Sequence, residues 1–449
     1  MQVQKDSLPI ENTQRLLRYR WVVFGILAAS QLAIFFTWVV PATIGTRLAS
    51  EWNLSATTLG LLGSFVFYPY AIMQVPAGYI TDTAGPRKAV TFAMLIMGVG
   101  QIVFSLATSL AVGLLGRALT GLGGGMVLIA ILKILVAWFR RNEFATMVGL
   151  NGTIGFGGAI LGTAPLAFVV AQAGWRLPLL VMGGVTLLLA ILNWVLVRDD
   201  PRELDMPGID EIDSTPRPSA GNGTAPVKSS ALIKEAFLTW RRTPTVWLIS
   251  LIFLLGFGSF QSFQYLWAGP YLIHVHGKTA VEAGASLWLL SVGGGLGPLV
   301  SGFLSDRVFQ ARRPFLIAGA LGLGLGWAWI LSTTDGATTT VINMTFLLFS
   351  FSGGVSLICQ PMVKECVRSE IFGTVFGFVN MFPFVGNSVY QVIMGVILNS
   401  SGSILIEGSR VYSAMGYWLA FLPAFIGCTL AVVIVLFVPE SMQRDSHPP

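Results

Sequence analysis

The chain has 449 residues, 54% hydrophobic and only 11% charged, with a mean hydropathy of +0.73. A soluble globular protein carries about 25% charged residues, so this composition excludes a water-facing surface and points to a membrane protein with many spans. The net charge of +6 comes from basic residues spread over loops, which excludes a nucleic-acid-binding patch, and Cys359, Cys366 and Cys428 have no metal-like spacing, so free thiols and no metal site are expected.

The first 20 or so residues are polar and show no signal-peptide pattern. A spanning helix needs about 20 apolar residues. Twelve candidates follow, at about 21–44, 57–80, 88–109, 111–136, 145–170, 178–197, 246–272, 283–304, 314–332, 340–363, 371–398 and 414–438. Between the sixth and seventh lies 198–243, with a Pro/Gly/Ser-rich tract around Ser214–Ser230 that reads as a flexible polar linker. The expected organisation is a six-helix bundle over 1–197, a linker over 198–243 and a second six-helix bundle over 244–449. The class is all-α. With both termini inside, 21 of the 27 Lys and Arg residues fall on the cytoplasmic side, 4 on the outside and 2 within spans. That bias sets the orientation.

The first span carries Gln31, Thr37, Trp38 and Pro41, and the second carries Tyr68, Pro69, Tyr70, Gln74 and Pro76. Their polar tips suit a cavity-facing side, and an aromatic belt explains the tyrosines as well. The fourth span holds two cations. Lys133 lies 16 residues after Arg117, about 24 Å along a helix, so Arg117 is in the outer part and Lys133 in the inner part. Charge at such depth needs a cavity or a partner. For Lys133 the alternatives are a cavity or snorkelling to the surface near Trp138. For Arg117 they are a functional site or bonds to a neighbour's carbonyls.

Five glycines crowd the fifth span between Gly152 and Gly162, and the eighth has its own run at Gly293–Gly297. Packing of these two spans against each other is expected. The seventh span is the most polar and aromatic, and Gln261, Gln264 and Tyr265 share one face. His274 and His276 read as solvated loop residues. The tenth span offers Gln360, and the eleventh offers Asn380, Asn387 and Gln391 on one face. Interhelical hydrogen bonding or solute contact accounts for these equally.

Two loops repeat a pattern. Gly78-Tyr-Ile-Thr-Asp82-Thr-Ala-Gly85-Pro-Arg87-Lys88 follows the second span, and Gly302-Phe-Leu-Ser-Asp306-Arg307, with Arg312 and Arg313, follows the eighth. Gly78 is expected to end a helix and let two helices approach closely. Asp82 is expected to cap the next helix or pair with a neighbouring Arg. A Gly-x-x-x-Asp element with clustered basic residues, once per half at matched positions, resembles the loop signature of the major facilitator superfamily. Arg117-x-x-x-Gly121 is similar to that family's fourth-helix motif. Pro69-Tyr70-Ala-Ile-Met-Gln74-Val-Pro76-Ala-Gly78, Leu132-Lys133-Ile, Trp138-Phe139 and Trp267-Ala-Gly-Pro270-Tyr271 resemble its bacterial sugar-phosphate permease-like branch.

The resemblance implies a monomeric secondary transporter of the bacterial inner membrane, working by alternating access around a midplane site. It implies no enzyme activity and no cofactor. The first, fourth, seventh and tenth helices would line the path. Lys133, Gln261, Gln264, Tyr265, Gln31, Tyr68, Asn380 and Gln360 are then the expected solute-binding residues, and Gly78, Asp82, Gly85, Arg87, Arg117, Gly302, Asp306 and Arg307 the gating or structural ones. Organophosphate antiporters grip phosphate with arginines in the first and seventh helices. Here the first has only Arg47 at its outer end and the seventh has none, so a small organic anion such as a carboxylate is expected. No acidic residue lies mid-span. Coupling is expected through a counter-substrate or a proton travelling with the anion. Efflux of an amphipathic compound and a non-transporting sensor are the competing readings.

Overall fold

In a bilayer every backbone amide must be paired within its own segment, so apolar runs of this length close into helices. In the computed structural model, which describes residues 10–213, 229–334, 336–368, 371–406 and 409–441, twelve helices are long and apolar enough to cross a membrane. They are α1 (Asn12–Glu51), α2 (Ala56–Ala84), α3 (Pro86–Ser105), α4 (Leu110–Trp138), α5 (Thr146–Ala173) and α6 (Arg176–Leu196) in the first half. The second half holds α7 (Pro244–His274), α8 (Ala280–Val308), α9 (Arg313–Ser332), α10 (Thr339–Cys366), α11 (Phe372–Ser400) and α12 (Ala414–Val435). Helix α1 starts earlier than its apolar run, because its polar end has partners. Tyr19 donates to the Leu196 carbonyl at 2.7 Å, and Arg20 pairs with Glu143 at 2.8 Å.

The two halves repeat one packing scheme. In the first, α3 packs on α4 and α6, and α2 on α4; in the second, α9 packs on α10 and α12, and α8 on α10. The most extensive contacts between the halves are α1 with α7, α2 with α11, and α5 with α8. The last two exchange under a pseudo-twofold. Phe156 of α5 fills the space beside Gly294 and Gly295 of α8, as the paired glycine runs lead one to expect. An even number of crossings leaves Asn12 and Val435 on one side. That side also holds Arg87, Lys88, Arg312 and Arg313, and is called the basic face below.

Part of the expected flexible linker is ordered. A connecting helix spans Ser229–Arg242. Its Phe237 and Trp240 rings lie against Phe378 and Phe382 of α11, and the Trp240 indole donates to the Ser250 hydroxyl at 3.0 Å. The apolar side chains recur at helical spacing and have a hydrophobic wall to cover, which is why this stretch folds. Most of the Ser214–Ser230 tract lies outside the described residues. On the opposite face a short hairpin, β1 (Ile404–Ile406) with β2 (Ser409–Val411), follows α11.

Candidate functional site

The centre of the molecule is aromatic. Trp38 of α1, Phe67 and Tyr70 of α2, Tyr265 of α7 and Phe384 of α11 form one cluster across both halves. Tyr70 and Phe384 are 4.3 Å apart between ring centres, and Trp38 lies 5.7 Å from Tyr265 and 5.5 Å from Phe384. Phe67 stacks on Tyr265 at 5.7 Å. Offset and tilted ring pairs of this kind add to the apolar area they bury. Tyr68 is not in this cluster. It is half-exposed and its ring pairs with Phe65 of the same helix; Tyr70, two residues on and so on the other side of the helix, takes the central place.

Away from the basic face the halves are sealed. The Ala56 amide donates to the Tyr412 hydroxyl at 2.9 Å, and Thr57 donates to the Gly395 carbonyl at 3.3 Å. A Cβ on Gly269 would come within 1.7 Å of the Ala42 carbonyl oxygen, so only glycine allows α1 and α7 this approach. His274 belongs to this sealed end and is not a solvated loop residue: its Nδ1 and the Tyr417 hydroxyl share a hydrogen bond at 2.9 Å. The bond between halves nearest the basic face is Asn380 Nδ2 to Gln74 Oε1, 3.0 Å. Between described residues, no hydrogen bond or ion pair joins the halves beyond it towards that face.

The expected amides of α7 sit beside the aromatic cluster. Gln261 and Gln264 are 2% and 3% exposed, yet Gln261 Oε1 and Gln264 Nε2 have no hydrogen-bond partner among the described residues. Gln31 of α1 is also buried, with Oε1 unpartnered. A buried amide atom without a bond costs about 1–3 kcal/mol, so these three atoms carry unused hydrogen-bonding capacity in the interior. Two π-helical turns, Phe253–Phe257 and Phe263–Trp267, interrupt α7. Such turns concentrate at functional sites, the second holds Gln264 and Tyr265, and nothing in the sequence signals them. Gln360 is half-buried in α10. In α11, Gln391 donates to Asn387 at 2.8 Å, and its carbonyl accepts from the Trp267 indole at 3.1 Å.

The two cations of α4 differ. Arg117 is 1% exposed. It donates to the carbonyls of Thr37 and Gly63, each at 3.2 Å, and lies 5.7 Å from the Phe104 ring. It ties α4 to α1 and α2, and an adjoining cavity of about 20 Å³ has room for one water. Lys133 instead pairs with Asp82 of the repeated loop. Their side chains are 35% and 68% exposed. Asp82 lies 12 residues along α2 from Tyr70, about 18 Å. The structure therefore does not bring Lys133 together with Gln261, Gln264 and Tyr265. It places an aromatic and amide level near the middle and a cationic level at the basic-face mouth.

The loops depart from expectation in detail. Gly78 neither ends α2 nor touches another helix, since a Cβ there would meet nothing within 4 Å; the same holds for Gly302. The turn comes at Gly85, whose φ of 91° suits only glycine, and Pro86 then starts α3. Asp82 does not cap α3. That role falls to Asp199, which the sequence reading missed: its carboxylate accepts from the Arg87 amide at 2.5 Å. Burial pushes the Asp199 carboxyl above the ordinary carboxylate range, against the opposing pull of that amide bond. The Arg87 guanidinium donates to the Trp194 carbonyl at 2.9 Å through Nε. In the second half Glu440 does the work of Asp199, accepting from the Arg312 and Arg313 amides at 2.9 and 3.0 Å. Asp306 pairs with Arg312, which also holds Glu365 of α10 at 3.1 Å. Arg307 lies over the Phe303 ring, 5.7 Å away.

Residues 26–390 match the family described as Major Facilitator Superfamily. The chain is 23% identical to a "Probable hexose phosphate transport protein" of Chlamydia trachomatis, covering 92% of this chain and 89% of that one. It is 25% identical to "Membrane sensor protein UhpC" of Salmonella typhimurium, over 88% and 86%. It is also 25% identical to "Probable sulfoacetate transporter SauU" of Cupriavidus necator, over 86% and 89%. Among solved structures, a bacterial homolog of the human lysosomal transporter Spinster, in an inward-facing and unoccupied conformation, superposes with a TM-score of 0.73 at 17% identity, over 94% and 97% of the two chains. That likeness shows the fold.

Proposed function

The chain belongs to the major facilitator superfamily, and from that premise we propose that it carries a small, carboxylate-like organic anion across the bacterial inner membrane by alternating access. One observation carries the choice of an anion. Of the two cations of α4, Arg117 is fixed by carbonyls, whereas Lys133, at the basic-face end, has a single exposed carboxylate partner among the described residues that an incoming anion can replace. The relatives agree in sign, since hexose phosphate and sulfoacetate are both anions at neutral pH. A carboxylate is preferred to a phosphate ester because α7 has no cation and Arg47 of α1 is spent on the Val170 carbonyl at 3.1 Å.

In this reading the division at 197 and 244 separates two rocking halves, the basic face and both termini are cytoplasmic, and the protein is open inwards. The open flanks of Gly78 and Gly302 are the surfaces that close when the halves rock the other way. The anion meets Lys133 at the mouth, displaces Asp82, and moves up to the free atoms of Gln31, Gln261 and Gln264 below the aromatic cluster. Either a counter-substrate or a proton accompanies it, and the carrier works as a monomer. Sensor relatives favour one other reading, in which the same site binds a solute without moving it.

The test is thermal stability of the purified protein against a panel of small carboxylates, sulfonates, phosphate esters, sugars and lipophilic cations. A bound solute raises stability by mass action, by about 2.7 kcal/mol at 100 times its Kd. Stabilisation by a carboxylate or sulfonate supports the reading. Stabilisation by lipophilic cations alone overturns it. Solute binding without uptake into proteoliposomes selects the sensor.

A further inference from the structure

The connecting helix has an outer face that nothing in the transport cycle described above uses. Its inner face is spent on α11 and on Ser250. Ala236 on that side is fully buried. On the other side Lys234, Arg241 and Arg242 are exposed. An open groove of about 450 Å³ runs along the helix, lined by Lys234, Glu235, Leu238, Thr239, Arg242 and Thr243. Lys234, Leu238 and Arg242 are spaced four residues apart and form one stripe.

The charge of the groove is lopsided. Its one carboxylate, Glu235, is paired with Arg368 from the loop after α10. The lining holds two cations, Lys234 and Arg242, against that single carboxylate, and because Arg368 neutralises Glu235 both are left without an acidic partner among the described residues. Exposed aromatic side chains lie on the same stretch of chain. Phe237 of the helix and Trp247 in the first turns of α7 are 42% and 41% exposed, on segments either side of Pro244, where the chain enters the membrane. Unpaired cations on a helix that leads through exposed aromatic side chains into the membrane suit a molecule that is anionic at one end and apolar along the rest.

We propose that this groove holds an anionic phospholipid. Its phosphate sits between Lys234 and Arg242, where guanidinium and ammonium groups suit a phosphate diester. Its acyl chains lie along Phe237 and Trp247, and Trp marks the interfacial depth at which a headgroup lies. The bound lipid bridges the connecting helix to the membrane on the flank of α11 that carries Phe378 and Phe382, next to Asn380, whose bond to Gln74 is the hydrogen bond between the halves nearest the basic face among the described residues. The proposal does not depend on which solute is carried.

The test is native mass spectrometry of the full chain, released from nanodiscs of phosphatidylcholine with a minor fraction of phosphatidylglycerol. The wild type is expected to retain one phosphatidylglycerol in preference to phosphatidylcholine. The Lys234→Gln/Arg242→Gln double variant is expected to lose about thirty-fold in that retention, as removal of two surface cations implies. Both side chains are exposed, and an unchanged melting temperature in pure phosphatidylcholine shows that the variant is folded. Lys88→Gln, on the same face but in the first half, is expected to retain the lipid like the wild type. Equal retention by the double variant overturns the proposal. So does an equal loss in Lys88→Gln, which would mean diffuse attraction to the face. Displacement of the lipid by millimolar inorganic phosphate would make this a site for free phosphate and overturns it as well.

Discussion

The two repeated loops are built to one plan and charged differently. In each half a carboxylate just after the last span caps the third helix, Asp199 for α3 and Glu440 for α9. In each half the loop Asp is held by a cation. In the second half that cation, Arg312, belongs to the loop itself and is shared with Glu365 of α10, so the cluster closes on itself. In the first half the cation is Lys133, from the matching helix α4, and it has only Asp82 as an ion-pair partner among the described residues. In the proposed function the closed cluster is structural and the lone, exposed pair is the one an anion exchanges with. The asymmetry between otherwise matched loops is the reason for assigning solute contact to the first half's pair.

Three substitutions sharpen that contrast. The largest stability effect belongs to Arg312→Ala, which strands Asp306 and Glu365. The Arg312 side chain is 10% exposed, while its partners are 54% and 26% exposed, so the loss falls between that of a buried and of a surface pair, about 2 kcal/mol. Denaturation of the purified protein measures it, and a loss below a few tenths of a kcal/mol would remove the structural role of this cluster. Asp82→Asn comes next. The pair is largely exposed, so stability should change by less than about 1 kcal/mol. Lys133 then loses its competing carboxylate, and anion affinity should rise about five-fold, equivalent to about 1 kcal/mol; a fall in affinity contradicts exchange. Asp199→Asn should be the mildest. A carboxyl whose folded pKa is raised costs stability once pH exceeds its unfolded value, a cost that grows up to the folded pKa and then stays constant. The Asn variant keeps the acceptor for the Arg87 amide. Its melting temperature should match the wild type near pH 4 and equal or slightly exceed it at pH 7.

Much of the architecture was readable from residue order alone, because span length and the Lys/Arg bias are imposed by the bilayer itself. The twelve spans, the paired loops and the packing of the fifth helix on the eighth follow from it. Helix phase was harder to read. In a membrane the outward face is as apolar as the core, so periodicity could not tell Tyr68 from Tyr70, and only the fold shows that Tyr70 meets Phe384. Pairings across helices were hidden for another reason. Lys133 and Asp82 are 51 positions apart, and Asp199 reaches Arg87 over 112. Some signal for the caps existed: an acidic residue directly follows the last span of each half, at Asp199 and Glu440. The π-helical turns of α7 have no residue signature, and the connecting helix was masked by the Pro/Gly/Ser-rich tract before it.

The central claim, that Lys133 meets the anion, is tested most directly by uptake of the panel's best-stabilising carboxylate into proteoliposomes containing Lys133→Gln. Removing the one exchangeable charge should lower uptake at least about 100-fold, or about 2.7 kcal/mol, while the melting temperature without solute stays within a few degrees of the wild type. Uptake within about two-fold of the wild type, from an equally stable protein, would contradict the account.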